Sequence, residues 1–101
     1  MFNPCPKTQV FRSRKYLKWL IKNHQLVGGY GDIVYHHLKC FKNGGTGIKP
    51  PDNDAIPIPD STHKSIHQYG EMRILGEVYG FTIQQLRQKC DGYYNEWLKT
   101  V

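Results

Sequence analysis

Four of the five histidines of this 101-residue chain occur as two close pairs, and this placement limits the fold more than any other feature. His63 and His67 are four positions apart in a segment with helical patterning, so both imidazoles project from one helix face. His36 and His37 are adjacent at the end of a β-branched and aromatic segment that predicts a strand. Adjacent strand residues point to opposite faces, so one of these two can join the helix pair at a single ion. Three imidazoles would leave coordination positions open, as is typical of a catalytic metal site.

The segments around these pairs predict a helix followed by two short strands. Apolar residues recur on one helical stripe after Ser13, which is a suitable N-cap. The first strand is Ile33–His37, and the apolar segment Ala55–Pro59 predicts the second. Pro57 and Pro59 lie two positions apart, so they remove N–H donors from one edge of that strand and leave the other edge able to pair. This pattern predicts a two-stranded hairpin in which the second strand is an edge strand.

Three helical segments are predicted after the second strand. Asp60 or Ser61 is expected to cap the helix that carries the second histidine pair, and Gly70 is expected to end it. A short helix is expected over residues 71–79. Thr82 is expected to cap a longer helix whose apolar and aromatic residues recur every three or four positions, so this helix should cover the core.

The long segment between the two strands, residues 39–53, contains glycines, prolines and lysines without any periodic pattern. Loops of this length are uncommon in compact domains and often carry function. Gly44, Gly45 and Gly47 would allow close contact between the main chain and a ligand. We therefore expect this loop to approach a ligand; the alternative is a flexible surface loop with ordinary lysines.

The net charge of +6 is unevenly distributed along the chain. Residues 1–49 contain nine Lys and Arg against one acid, whereas residues 50–101 contain five against seven acids. Such an asymmetry favours a surface that meets a polyanion such as a nucleic acid; the alternative is an ordinary solvated surface. The candidate nucleic-acid-binding residues are Lys39, Lys42, Lys49, Arg14, Lys15 and Lys18.

Two further properties narrow the class of protein. No apolar stretch approaches the roughly 20 residues that span a bilayer, and the first residues lack the apolar centre of a signal peptide, so we expect a cytoplasmic protein with no membrane partner. The three cysteines form no CxxC pair, which excludes a zinc knuckle and favours ordinary thiols. Any metal site must therefore be built from histidine and carboxylate.

Taken together, these residues resemble the HNH (ββα-metal) endonucleases, and they are similar to small phage and prophage HNH-type proteins, including recombination-associated ones. The resemblance is carried by the His-His pair, the loop with Gly45-Thr46-Gly47, the apolar strand and the His-x3-His helix, and it covers about residues 30–82. Asp54 lies nine positions before His63 and thirteen before His67, the offsets at which the family has a polar residue, usually Asn.

The resemblance also implies a role for each matched residue. His37 matches the general base that activates water, and Asp54 matches the residue that orients this base, with Asp52 and Asn53 as nearby competitors. The sequence departs from the family in having Asp at this position and in lacking the CxxC pairs that brace many HNH domains. The implied ligands of one divalent ion, which would be Zn, Ni, Mn or Mg, are His36, His63 and His67.

The fold that the resemblance implies is α+β: one domain over residues 1–101 with a ββα-metal core at about residues 30–70, flanked by an N-terminal helix and C-terminal helices. The implied function is metal-dependent endonuclease cleavage of DNA phosphodiester bonds. A second interpretation is a non-catalytic nucleic-acid-binding accessory protein of phage recombination that retains the metal fold. A third is an unrelated protein with a structural zinc site. The presence of His37 favours the nuclease, because a purely structural site does not need that residue.

Overall fold

The computed structural model describes residues 11–41 and 50–101. Within these ranges the chain has the mixed α+β architecture that the sequence predicts: a two-stranded antiparallel hairpin with helices before and after it. A 3₁₀ turn, Asp52–Asp54, leads into the second strand, and a π-helical segment, Arg73–Val78, precedes the last helix. The main elements are α1 (Arg14–Asn23), β1 (Ile33–His37), β2 (Ala55–Pro59), α2 (Asp60–Tyr69) and α3 (Ile83–Leu98).

The hairpin register decides which histidine faces which side. β1 and β2 pair with His36 opposite Ile56 and His37 opposite Ala55. Side chains of directly opposed residues share a face, and successive residues alternate between faces. The sheet has two strands, so the prediction that β2 is an edge strand is confirmed. On the outer side of β2, Pro57 has no N–H to donate, and its carbonyl oxygen accepts a hydrogen bond from Leu26 N–H at 2.8 Å.

Two apolar clusters cover the two faces of this hairpin. The larger one lies on the His36 side, since it contains Ile56 and Ile58 together with buried residues of α2, the π-helical segment and α3. The smaller one lies on the His37 side, where Ala55 packs with the buried face of α1. Aromatic residues of α1 and α3 enclose this second cluster, among them Trp19, Tyr93, Tyr94 and Trp97. The hairpin therefore separates two apolar cores, one on each of its faces.

The helix ends follow local capping chemistry in most places. The Ser13 hydroxyl accepts a hydrogen bond from Tyr16 N–H at 3.1 Å, and Thr82 forms a capping box with Gln85, so both predicted caps are confirmed. Gly70 ends α2 with a φ of +103°. None of the helices within residues 11–41 and 50–101 is long and apolar enough to cross a membrane.

The start of α2 differs from the prediction. The helix begins at Asp60, directly after β2, and its N-cap position is Pro59 without a side-chain cap, so the expectation that Asp60 or Ser61 caps it is wrong. The Ser61 hydroxyl instead accepts a hydrogen bond from Tyr30 N–H at 2.8 Å, and Asp60 N–H donates to Asp32 at 2.9 Å. Tertiary contacts with the segment before β1 therefore replace the local cap.

The predicted short helix over residues 71–79 is largely π-helical. The wider turn is visible in the hydrogen bond from Tyr79 N–H to the Ile74 carbonyl, five residues back, at 3.1 Å. Ile74 and the adjacent Leu75 are both buried. This segment therefore attaches the region after α2 to the larger core.

Candidate metal and catalytic site

Three histidines from two elements meet at the end of the hairpin. The ring centroids of His63 and His67 are 4.4 Å apart, and that of His36 lies 5.4 Å from His63 and 6.0 Å from His67. One ring nitrogen of each residue lies within 4.8 Å of the others, which is a suitable arrangement for one metal ion. His36 is buried and His67 is exposed, so the group opens towards solvent on one side. Three neutral nitrogen donors with an open side fit the metal that the histidine spacing implies.

The local chain path explains this meeting. Because α2 starts at the residue after β2, its first turns lie against the hairpin, and α2 packs on β1. The four-residue spacing then places His63 and His67 on the same helix face, with 3.0 Å between their Nε2 atoms. His36 comes from the larger-core side of β1, on which α2 lies.

The environment of His63 favours the form that binds metal. Burial lowers the pKa of His63, and the neighbouring His36 and His67 lower it further, whereas Asp60 opposes these effects. The net shift is downwards, so the neutral imidazole of His63 persists to a lower pH than that of an ordinary histidine. Only the neutral ring offers a lone pair to an ion.

Glu71 is a member of the site that the sequence analysis missed. Its Oε1 lies 2.7 Å from His36 Nε2, and its carboxylate also accepts hydrogen bonds from Lys39 N–H and Cys40 N–H. Burial raises the pKa of Glu71, but these hydrogen bonds together outweigh burial and hold the pKa below its ordinary value. No motif marks this residue, because it is a single acid four positions beyond His67.

His37 occupies a different environment on the other face of the hairpin. Its Nε2 lies 2.8 Å from Asp52 Oδ1, and the two side chains are only 11% and 6% exposed. The second oxygen of Asp52 accepts a hydrogen bond from Ser13 N–H at 2.7 Å, and Arg12 Nη1 lies 3.7 Å from Oδ1. The start of α1 thus holds the acid that contacts the imidazole.

The acid next to His37 is one of the two competitors for the role assigned to Asp54. Asp54 itself binds elsewhere: Arg87 Nη1 donates to its carboxylate at 2.7 Å, and Leu38 N–H donates to its carbonyl oxygen at 2.9 Å. Asp54 therefore ties the start of β2 to α3 and to the residue after His37. The structure places Asp52 against the His37 ring, because the 3₁₀ turn before β2 carries both acids but directs the two carboxylates to different partners.

A family model described as "Protein of unknown function (DUF968)" matches residues 1–94 of the chain. The chain belongs to this family. No curated protein and no solved structure matches it. Because the family description names no activity, a function for this DUF968 member has to be inferred from the residues of the site.

The predicted nucleic-acid-binding residues of the DUF968 chain fall into two groups. Lys42 and Lys49 lie outside the described residues, as do Gly44, Gly45 and Gly47. The others are exposed: Lys39 follows the end of β1, and three basic residues lie on the outer face of α1. The α1 group begins directly after Ser13, whose N–H donates to the acid beside His37. This group consists of Arg14, Lys15 and Lys18.

The two cysteines within the described residues are thiols that resist ionisation. Burial and the neighbouring Glu71 raise the pKa of Cys40 to about 12. Burial also raises the pKa of Cys90, which is completely buried in the larger core. Neither is a thiolate at neutral pH, in line with the ordinary thiols expected from the sequence. Cys5 lies outside the described residues.

Proposed function

We propose that this protein is a metal-dependent endonuclease that hydrolyses DNA phosphodiester bonds, with His37 as the general base and with His36, His63 and His67 as the ligands of one divalent ion. The observation that carries the proposal is the division between adjacent histidines. His36 joins two further imidazoles on one side of the hairpin, whereas His37 is held on the other side by a buried acid. A metal site that only stabilises the fold does not need an imidazole at the adjacent position that a buried acid orients.

Asp52 prepares His37 for proton transfer. An ionised carboxylate only accepts hydrogen bonds, so the neutral His37 ring keeps its proton on Nε2, towards Asp52, and carries its lone pair on Nδ1. Nδ1 then takes a proton from the attacking water, and Asp52 stabilises the imidazolium that forms. Histidine is the side chain most often used for such proton transfer at neutral pH.

The three-histidine group supplies the second part of the chemistry. An ion bound there would polarise the phosphodiester and stabilise charge on the leaving 3′ oxygen. Imidazole donors suit Zn, Ni or Mn, and Mg is the weakest match because it prefers oxygen ligands. His36 is buried and so holds a fixed position, while the exposed side at His67 leaves room for a phosphate oxygen.

Basic residues on both sides of this site would hold the DNA backbone. The main-chain N–H of Lys39 binds the same carboxylate as His36, so Lys39 lies beside the three-histidine group. Its side chain is exposed. The basic face of α1 adjoins the acid that orients His37. Contacts of this kind position a substrate without reading its bases. Lys42 and Lys49, which lie between β1 and β2 in the sequence and outside the described residues, are further candidates for such contacts.

One observation favours the alternative of a non-catalytic nucleic-acid-binding accessory protein. The His37 side chain is only 11% exposed, so little of the ring is open to substrate. In this alternative, the metal site would stabilise the fold, and the basic residues would bind nucleic acid without cleavage. The experiment below separates the two functions.

The test is cleavage of supercoiled plasmid and of single-stranded DNA by the full chain with Zn, Ni, Mn or Mg, with and without chelator. We expect His37→Ala to lose about 10²–10⁴-fold in rate, the usual contribution of a general base, while its metal affinity stays near wild type. We expect His63→Ala/His67→Ala to lose both cleavage and metal binding. His24→Ala is the matched control, because His24 pairs with Glu96 away from this site.

Two results would contradict the proposal. Undiminished cleavage by His37→Ala would remove this residue from the mechanism. DNA binding by the wild type without cleavage of either substrate under any metal would favour the accessory protein.

A further inference from the structure

The carboxylate of Glu71 connects the three-histidine group to the segment that follows β1. It contacts the ring of His36 at 2.7 Å and accepts both main-chain N–H groups of the residues that follow β1, Lys39 and Cys40, at distances of 2.8–3.1 Å. The side chain is only 13% exposed. A carboxylate with three donors at this burial is held in one orientation.

This contact decides the tautomer of His36. An ionised carboxylate can only accept a hydrogen bond, so the ring nitrogen facing it, Nε2, must carry the proton. The lone pair of the neutral ring is then on Nδ1. In metalloproteins the ring nitrogen that does not bind metal commonly donates to a carboxylate, and this fixes both the tautomer and the ring orientation.

Glu71 lies outside the group of direct ligands. Among the described residues, the group whose ligand atoms all lie within 4.8 Å of one another consists of three histidines and does not include this acid. Glu71 follows Gly70, the residue that ends α2, so it attaches the end of the helix that carries two of these histidines to the end of β1.

We propose that Glu71 is a positioning residue for the metal site: it holds the proton of His36 on Nε2, presents Nδ1 as the ligand atom, and fixes the end of β1 relative to α2. This inference rests on the metal site of the proposed function, but not on nuclease activity. The same anchor places Lys39 beside the site, since its N–H is one of the three donors.

The first test reads the tautomer without metal. Two-bond ¹H–¹⁵N spectra of the metal-free full chain, at a pH well above the ordinary histidine pKa of about 6.5, distinguish a protonated ring nitrogen from one with a lone pair. We expect a single His36 tautomer in the wild type, with the proton on Nε2. Glu71→Gln should keep this tautomer, because the amide oxygen still accepts. Glu71→Ala should give a mixture.

The second test measures metal affinity by calorimetry with Zn. We expect Glu71→Ala to weaken binding by about 10–100-fold, the usual effect of losing such a partner. Glu71→Gln should fall between this variant and the wild type, because a single amide oxygen replaces two carboxylate acceptors. Glu77→Ala is the matched control: it removes the same charge from an exposed residue for which the described part of the chain provides no ion pair.

These outcomes separate this proposal from the proposed function. A wild-type His36 with its proton on Nδ1, or with both tautomers populated, overturns the role of Glu71 whether or not DNA is cleaved. Equal Zn affinity in Glu71→Ala and wild type overturns it as well, and the wild-type tautomer decides the question even if Glu71→Ala fails to fold. If His37→Ala loses cleavage while the Glu71 variants bind Zn normally, the nuclease proposal is supported and the positioning role of Glu71 is rejected.

Discussion

His36 and His37 are adjacent, yet their imidazoles meet different chemistry. The pleat of β1 turns one ring towards α2 and the other towards the start of α1. Each ring then has an acid within 2.8 Å, Glu71 for the first and Asp52 for the second. The two identical side chains therefore have different partners, and in the proposed mechanism the two acids determine which ring nitrogen keeps the proton.

The lowered pKa of His63 predicts how stability depends on pH at the scale of one residue. Because burial and the two neighbouring histidines disfavour its charged form, the unfolded chain binds a proton at this residue before the folded chain does. Its contribution to stability is therefore complete above the ordinary pKa of 6.5 and is lost as pH falls through the lower, folded-state pKa. Urea denaturation of the metal-free chain should show stability falling as the pH is lowered below about 7, and falling less steeply in His63→Gln.

The comparison with His63→Gln is needed because other groups also titrate in this range. His24→Gln serves as the control, because His24 pairs with the exposed Glu96 away from His63, and this variant should keep the steep dependence attributed to His63. Identical pH dependence in wild type and His63→Gln would mean that the environment of His63 does not disfavour its protonation.

The ends of α2 determine where its histidines point. The helix starts without a connecting loop after β2, and it stops at Gly70, whose φ of +103° and ψ of 148° are accessible mainly to glycine. The next residue contacts His36 and the end of β1. A change in the backbone at Gly70 would therefore also move the acid that orients a metal ligand.

Two glycines offer a matched test at this scale. A methyl group added at Gly70 or at Gly92 would meet no atom within 4 Å, so the two substitutions differ only in backbone conformation. Gly70→Ala should destabilise the fold by about 1–3 kcal/mol, because alanine does not tolerate this φ. Gly92→Ala, inside α3, should stabilise it by about 0.5–1 kcal/mol. Chemical denaturation measures both, and equal effects of the two substitutions would contradict the conformational argument.

At the scale of the whole molecule, the basic half of the chain lies next to the histidines on both faces of the hairpin. The basic half of the chain includes α1 and the end of β1, and these two regions lie beside His37 and the three-histidine group respectively. Three of the seven acids of the other half make internal contacts near the site: Asp52, Asp54 and Glu71 each accept hydrogen bonds from neighbouring elements. This arrangement supports the proposed contact with DNA.

This arrangement predicts a strong salt dependence of DNA binding. The logarithm of affinity should fall against the logarithm of salt concentration with a slope of roughly −0.9 per contacted phosphate on duplex DNA. Two sets of basic residues are to be replaced by glutamine: the loop set, Lys39, Lys42 and Lys49, and the α1 set, Arg14, Lys15 and Lys18. Each replacement should flatten the slope and weaken binding to all sequences alike.

The control for this experiment is a pair of lysines in the C-terminal part of the chain, Lys89 and Lys99, which are exposed on and just after α3. Their replacement by glutamine should leave the slope unchanged. If the control pair and the other two sets change the slope by the same amount for each charge removed, binding reflects net charge alone, and neither set forms a DNA surface.

The sequence by itself determined the parts of this protein that depend on near neighbours. The hairpin strands, the caps at Ser13 and Thr82 and the end of α2 at Gly70 follow from backbone preferences and hydrogen bonds within a few residues. The spacing of His63 and His67 likewise places them on one helix face in any helix that contains them.

Only the tertiary structure decided which acids serve the histidines. Asp52, Asn53 and Asp54 are consecutive and chemically similar, and the turn before β2 brings Asp52 to a histidine 15 residues away. Glu71 reaches His36 across 35 residues of sequence. Such pairings depend on how α1, α2 and the hairpin pack against each other. A shift of one residue in that packing would bring a different acid to each histidine without any change in amino-acid composition. Local sequence preference does not encode that choice, since the free energy that selects it comes from the packed core.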